Sequence, residues 1–121
     1  MTVFVDTSAF LAVLNREDRC HERADATWKA LLTRDIALLT TNYVALETFA
    51  VAQHRHGIDA ARILQQDVLP LVELEWTTPE DHGRGVAAVL AAGRRRLSLV
   101  DAVSFAIMRR LGLTAYFAFD T

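Results

Sequence analysis

At 121 residues, 52% of them hydrophobic, the chain is long enough to bury a core without disulfide or zinc staples, and we expect one domain spanning residues 1–121. Its 15 acidic against 13 basic residues give a net charge of −2, which excludes a surface coated in positive charge for indiscriminate nucleic-acid binding. No apolar run approaches the roughly 20 residues of a membrane-spanning helix, so no membrane partner is expected.

The first residues, Met1 to Asp6, lack a basic leader followed by a long apolar stretch, so they do not read as a signal peptide. The single cysteine, Cys20, has no spaced partner and agrees with a reducing compartment, hence an expected cytoplasmic location. Val3-Phe4-Val5 is a short strand pattern that stops at Asp6, and Ala9 to Leu14 follows as an apolar helix. Ala24, Trp28, Leu31 and Leu32 recur at helical spacing within residues 20–33, and Ile36-Ala37-Leu38-Leu39 makes a second strand. Thr40-Thr41-Asn42 supplies capping residues for a helix from Tyr43 to about His56, with Gly57 placed where helices often stop.

A further helix is expected from about Asp59 to Val68, ending near Pro70. Leu71 to Trp76 alternates apolar and acidic residues, the pattern of a strand near a sheet edge with one wetter face. Thr78-Pro79-Glu80-Asp81 combines a capping threonine, proline at the first helical position and an acid at the third, so a helix starts there and runs to about Ala92 before Gly93. Ser98 to Leu111 is a helix ending at Gly112, and Ala115 to Phe119 is a last strand that stops at Asp120. Strands separated by helices of this length favour parallel pairing through right-handed crossovers, so the expected fold class is α/β, a three-layer sandwich with a short, mainly parallel sheet. Ligands of such sheets bind beyond the carboxyl ends of the strands, which places Asp6 and Asp120 on one edge.

Among nine aspartates and six glutamates, four stand out by position. Asp6 follows a strand, where it either caps the next helix or serves a site. Glu47 has Tyr43, Val44, Ala50 and Val51 as its helical neighbours, so it needs a hydrogen-bond partner or a cation, the bland alternative being a buried salt bridge to an arginine. Asp101 sits three residues after Ser98, a pattern that also describes a helix cap. Asp120 follows an almost wholly apolar strand. Four carboxylates gathered together would repel strongly and raise one another's pKa, an arrangement that a divalent cation relieves. All-oxygen ligation suits Mg²⁺, with Mn²⁺ substituting. The chemistry that uses such a centre is phosphodiester hydrolysis.

The sequence resembles the PIN-domain ribonucleases, most closely the VapC-type toxins of bacterial toxin–antitoxin pairs. The resemblance runs through Val5-Asp6-Thr7-Ser8 with Phe10-Leu11-Ala12, Thr40-Thr41-Asn42-Tyr43-Val44 with Leu46-Glu47-Thr48, Leu99-Val100-Asp101-Ala102, and Phe119-Asp120-Thr121. It implies that Asp6 and Asp101 are the principal metal ligands, that Glu47 and Asp120 complete the cluster, and that Thr7 or Ser8 orients a ligand or phosphate. It also implies an RNA substrate, a cognate antitoxin protein and a homodimer. Chains of the family usually continue past the fourth acid, whereas the present sequence ends at Thr121.

Arg94-Arg95-Arg96 lies just before the Asp101 helix and has two readings, contact with an RNA backbone or a solvated helix end. His54, His56 and His21 match no zinc spacing and read as surface residues. Two other functions are weighed. A receiver-like signalling module would pair acids after its first strand and carry a lysine after its last, but Asp6 has no acidic neighbour and Lys29 is the only lysine. A catalytically silent PIN-fold binding protein would not need all four acids.

Overall fold

The computed structural model describes residues 1–119. The sheet has four strands, β1 (Thr2–Val5), β2 (Ala37–Thr41), β3 (Glu73–Glu75) and β4 (Ala115–Phe117). Their spatial order is β3-β2-β1-β4 and every pairing is parallel. Helices α1 (Thr7–Leu14) and α2 (His21–Thr33) connect β1 to β2, and α3 (Asn42–His56) and α4 (Ile58–Ile63) lead from β2 towards β3. Helices α5 (Pro79–Ala92) and α6 (Leu99–Leu111) carry the chain back across the sheet to β4. The expected parallel α/β arrangement is therefore present. Among the described residues no helix is long and apolar enough to cross a membrane.

Central β1 is apolar from Val3 to Val5, all three residues buried, because it is covered on both faces. The core continues into Phe10 of α1, Trp28 of α2 and Val44 of α3, and the Phe10 and Trp28 rings meet edge to face at 6.2 Å. Thr41 caps α3 through its hydroxyl, which accepts from the Val44 N–H, so both threonines of the capping triplet lie in β2 and the helix begins at Asn42. At α5 both halves of the Thr78–Asp81 capping box form.

Three elements differ from expectation. The helix after Gly57 keeps α geometry only to Ile63, then widens into a π-helical turn over Leu64–Val68 and tightens into a 3-10 turn over Leu69–Leu71. Pro70 explains this: its ring would collide with the carbonyl four residues back and it has no N–H to donate, while Leu64 and Val68 both remain buried. Strand β3 is shorter than residues 71–76 and lies at the sheet edge as expected, but within it the apolar residue is not the covered one. Glu73 and Leu74 are both exposed, Leu74 by 41%, whereas Glu75 is half-buried and accepts from Arg110 Nη1 at 3.2 Å. Strand β4 ends at Phe117 rather than Phe119, because β1 gives way to α1 after Val5 and leaves nothing further to pair with.

Candidate active site

Beside β1 the chain reverses its direction of travel across the sheet, with β2 on one side of it and β4 on the other. In parallel α/β sheets such a switch point opens a crevice at the carboxyl ends of the strands, and Asp6 stands there as the residue after β1. Its N–H donates to the Phe117 carbonyl at 3.1 Å, so the backbone of Asp6 is held by β4. Oδ2 accepts from the Ser8 N–H at 3.4 Å and from the Ser8 hydroxyl at 3.1 Å, which makes Asp6 the N-cap of α1. Capping accounts for one oxygen only. Oδ1 is buried and has no hydrogen-bond partner among the described residues, a costly state for a carboxylate that nothing else approaches.

Glu47 reaches the same crevice from α3. Its Oε1 accepts from the Thr7 hydroxyl at 2.7 Å, and among the described residues it makes no ion pair, so the arginine-partnered alternative does not hold. Asp101 comes from the first turn of α6, whose N-cap Ser98 accepts from the Asp101 N–H at 3.0 Å. Asp6, Glu47 and Asp101 line one cavity of about 460 Å³, together with Thr7, Ser8 and Arg55. Burial lifts the Asp101 carboxyl above its ordinary value, and the negative charges of Asp6 and Glu47 push the same way against the Ser98 hydrogen bond. Asp101 thus carries its charge close enough to Asp6 and Glu47 to be affected by both.

Among the described residues, no three carboxylate, imidazole or thiol side chains close tightly enough to ligate one ion together. That spacing disfavours a dedicated all-protein cage of the kind calcium takes. It is compatible with Mg²⁺, which is usually held by one or two carboxylates and keeps several waters. With the unpartnered Asp6 Oδ1 and an all-oxygen donor set, the residues fit a hard divalent cation.

The hydroxyl protons of Thr7 and Ser8 are committed to Glu47 and Asp6, so these two residues orient the acids themselves. Ser8 also accepts from the Phe119 N–H at 2.9 Å, tying the segment after β4 to the site. Asp120 follows directly in the chain but lies outside the described residues. Arg94, Arg95 and Arg96 are exposed in the connection between α5 and α6 and do not line the acidic cavity. The arginine that does is Arg55, which sequence reasoning passed over. Its signal was Glu47-Val51-Arg55 at successive spacings of four, a single face of α3. Phe105 and Tyr116 were missed too, although Phe105 stands one turn after Asp101.

The parallel sheet and the acids at its switch point define a PIN domain. The PIN domain family profile matches residues 3–121, and the chain belongs to this family. It is 32% identical over 122 aligned residues to the 23S rRNA-specific endonuclease VapC20 of Mycobacterium tuberculosis, an alignment covering 98% of this chain and 88% of that one. The crystal structure of that protein, described as a sarcin-ricin loop cleaving toxin, superposes with a TM-score of 0.84 at 31% identity, covering 98% of this chain and 89% of the other. FitAcB from Neisseria gonorrhoeae shares the fold, with a TM-score of 0.66 at 16% identity over 93% of this chain and 84% of that one. So does VapBC2 from Rickettsia felis, bound to a DNA fragment from its promoter, with a TM-score of 0.65 at 11% identity over 99% and 100% of the two chains. Family membership removes the receiver-like alternative.

Proposed function

We propose that this protein is a divalent-cation-dependent endoribonuclease, the toxin of a type II toxin–antitoxin pair, acting as one domain over residues 1–121. The observation that carries the reading is the buried, unpartnered Oδ1 of Asp6 in a cavity shared with Glu47 and Asp101. Asp6 and Asp101 hold the cation, Mg²⁺ with Mn²⁺ as a substitute. Glu47 and Asp120 complete the acidic centre directly or through water. When bound, the cation neutralises charge on the phosphate, activates water and stabilises the leaving oxygen.

The protein's own contribution is orientation. Asp6 is fixed by its capping role and by the Ser8 hydroxyl, and Glu47 by the Thr7 hydroxyl, so both carboxylates face the crevice before substrate arrives. Water adds to phosphorus as the bond to the leaving ribose oxygen breaks, and no side-chain nucleophile takes part. The kinship with VapC20 supports an RNA substrate, and the description of that relative as a toxin supports an antitoxin protein that restrains the enzyme. A homodimer acting in the cytoplasm completes the proposal.

The test is to incubate purified wild type and Asp6→Asn with total ribosomal and transfer RNA and to sequence the new ends. Discrete cuts that appear in Mg²⁺ or Mn²⁺, disappear in chelator and disappear in Asp6→Asn support the reading. Cuts that persist in chelator or in Asp6→Asn contradict it.

A further inference from the structure

The acidic cavity has a second wall of a different kind. Phe105 projects from α6 one turn after Asp101 and is 42% exposed, although Ala102, Val103, Ser104, Ala106, Ile107 and Met108 around it are buried. Its ring lies 6.0 Å from that of Tyr116 on β4, tilted by 51°. Tyr116 in turn stacks on Phe4, which is fully buried in the core, at 5.9 Å and 21°. The aromatic wall is therefore braced through Tyr116 onto the central strand. Both rings line the same cavity as the three acids.

Arg55 belongs to that cavity as well and also lines an adjoining one of about 420 Å³, which takes in Asn15 and Arg19 of the α1–α2 connection and His56 at the end of α3. Among the described residues Arg55 makes no ion pair, so its guanidinium is available to an incoming anion. A cavity of this volume falls in the ordinary range of small-ligand sites, roughly 300 to 1,000 Å³. Carboxylates, a partly exposed aromatic ring and an uncommitted arginine in one cavity match the three parts of a nucleotide strand: the reacting phosphate, the base and the neighbouring phosphate.

We propose that Phe105, braced by Tyr116, is the face on which an unpaired base beside the scissile phosphate stacks, while Arg55 meets the adjoining backbone phosphate. This rests on the endoribonuclease reading and adds to it two residues, outside the acidic centre, that hold the strand being cut. In an A-form duplex the base faces are occupied by their neighbours, so no ring is free to reach Phe105.

The experiment places a fluorescent adenine analogue, quenched by stacking, beside the mapped cut in a short oligoribonucleotide. Binding is followed on the Asp6→Asn protein, which holds the strand without cutting it. Quenching is expected on binding; Phe105→Leu should remove it and weaken binding roughly 5- to 150-fold, and Phe105→Tyr should restore both. Arg55→Gln should lower the salt dependence of binding by about one phosphate contact and leave the quenching of the bound strand intact. The same sequence fully paired in a duplex should bind more weakly. Unchanged quenching and affinity in Phe105→Leu, or equal affinity for the duplex, overturns the stacking proposal. That outcome leaves the nuclease reading standing, whereas metal-independent cutting, or cutting that survives Asp6→Asn, overturns the nuclease reading instead.

Discussion

Helix α6 delivers both Asp101 and Phe105, and its position depends on how closely α5 approaches it. The two helices approach closely at Gly85, which is buried. A Cβ added there would stand 2.4 Å from Val103 Cγ2, 3.0 Å from the Val103 nitrogen and 3.2 Å from its Cα. Carbon atoms in contact prefer about 3.5–4.0 Å, so the shortfall at Cγ2 is roughly 1 Å. A helical valine has essentially one χ1 rotamer, and two of the three neighbours are backbone atoms, so Val103 cannot swing aside. Gly85→Ala therefore drives the helices apart. Its helix-propensity gain of about 1 kcal/mol is opposed by an overpacking cost of about 1–3 kcal/mol. Gly83 lies on the exposed side of the same helix with nothing within 4 Å of its Cβ position, so Gly83→Ala keeps the gain alone. Urea unfolding should show Gly83→Ala stabilised by about 1 kcal/mol and Gly85→Ala lower than it by about 1–3 kcal/mol. Gly85→Ala should also cleave RNA more slowly, because Asp101 moves with α6. Equal stability of the two variants would refute the close-approach argument.

Other expectations follow from single contacts. Thr7→Val removes the hydroxyl that orients Glu47 and should lower cleavage about 10- to 100-fold, as loss of an outer-shell partner does, while leaving the melting temperature close to wild type. Arg110 holds buried Asp81 through two bonds of 3.0 and 2.9 Å, so Arg110→Met, which leaves that carboxylate without its cation, should lower stability in urea unfolding at neutral pH. The Arg110 hydrogen bonds hold the Asp81 carboxyl below its ordinary value. That stabilisation is complete above the unfolded carboxylate range near pH 4 and drains as pH falls through the folded value, so acid titration of stability should bring Arg110→Met and wild type together at low pH. Asp101 has the opposite sign: its raised value means that its charge costs stability near neutrality, and Asp101→Asn should melt higher than wild type in chelator. In Mg²⁺ at ten times the dissociation constant, wild type should gain about 1.4 kcal/mol and Asp101→Asn much less, read by thermal melting at both conditions.

Much of this architecture is legible in the sequence because its signals are local. The Thr78-Pro79-Asp81 start, the Gly93 and Gly112 stops and the apolar Val3-Phe4-Val5 strand each act within a few residues and need no tertiary partner. The elements that differ are those decided at longer range. Glu75 is half-buried because Arg110, 35 positions away, is there to meet it, and no alternation rule contains that fact. Strand β4 stops where β1 stops. At the site, the acids were visible through their positions at a strand end and in helix turns, and the structure brings Asp6, Glu47 and Asp101 to one cavity. Arg55 and Phe105 carried a signal as well, the helical spacing to Glu47 and to Asp101. It was weak because the same spacing describes any surface residue on those helices.

The most direct test of the central claim is the single-turnover cleavage rate of a mapped RNA substrate as a function of free Mg²⁺ for wild type, Asp6→Asn and Asp101→Asn, each first shown to melt cooperatively. The expected result is a rate that saturates with Mg²⁺ in wild type and falls at least about a hundredfold in both variants, the loss typical of removing one electrostatic contributor to a transition state. A rate independent of Mg²⁺, or one retained by Asp6→Asn, would contradict the assignment of this acidic crevice as the catalytic centre.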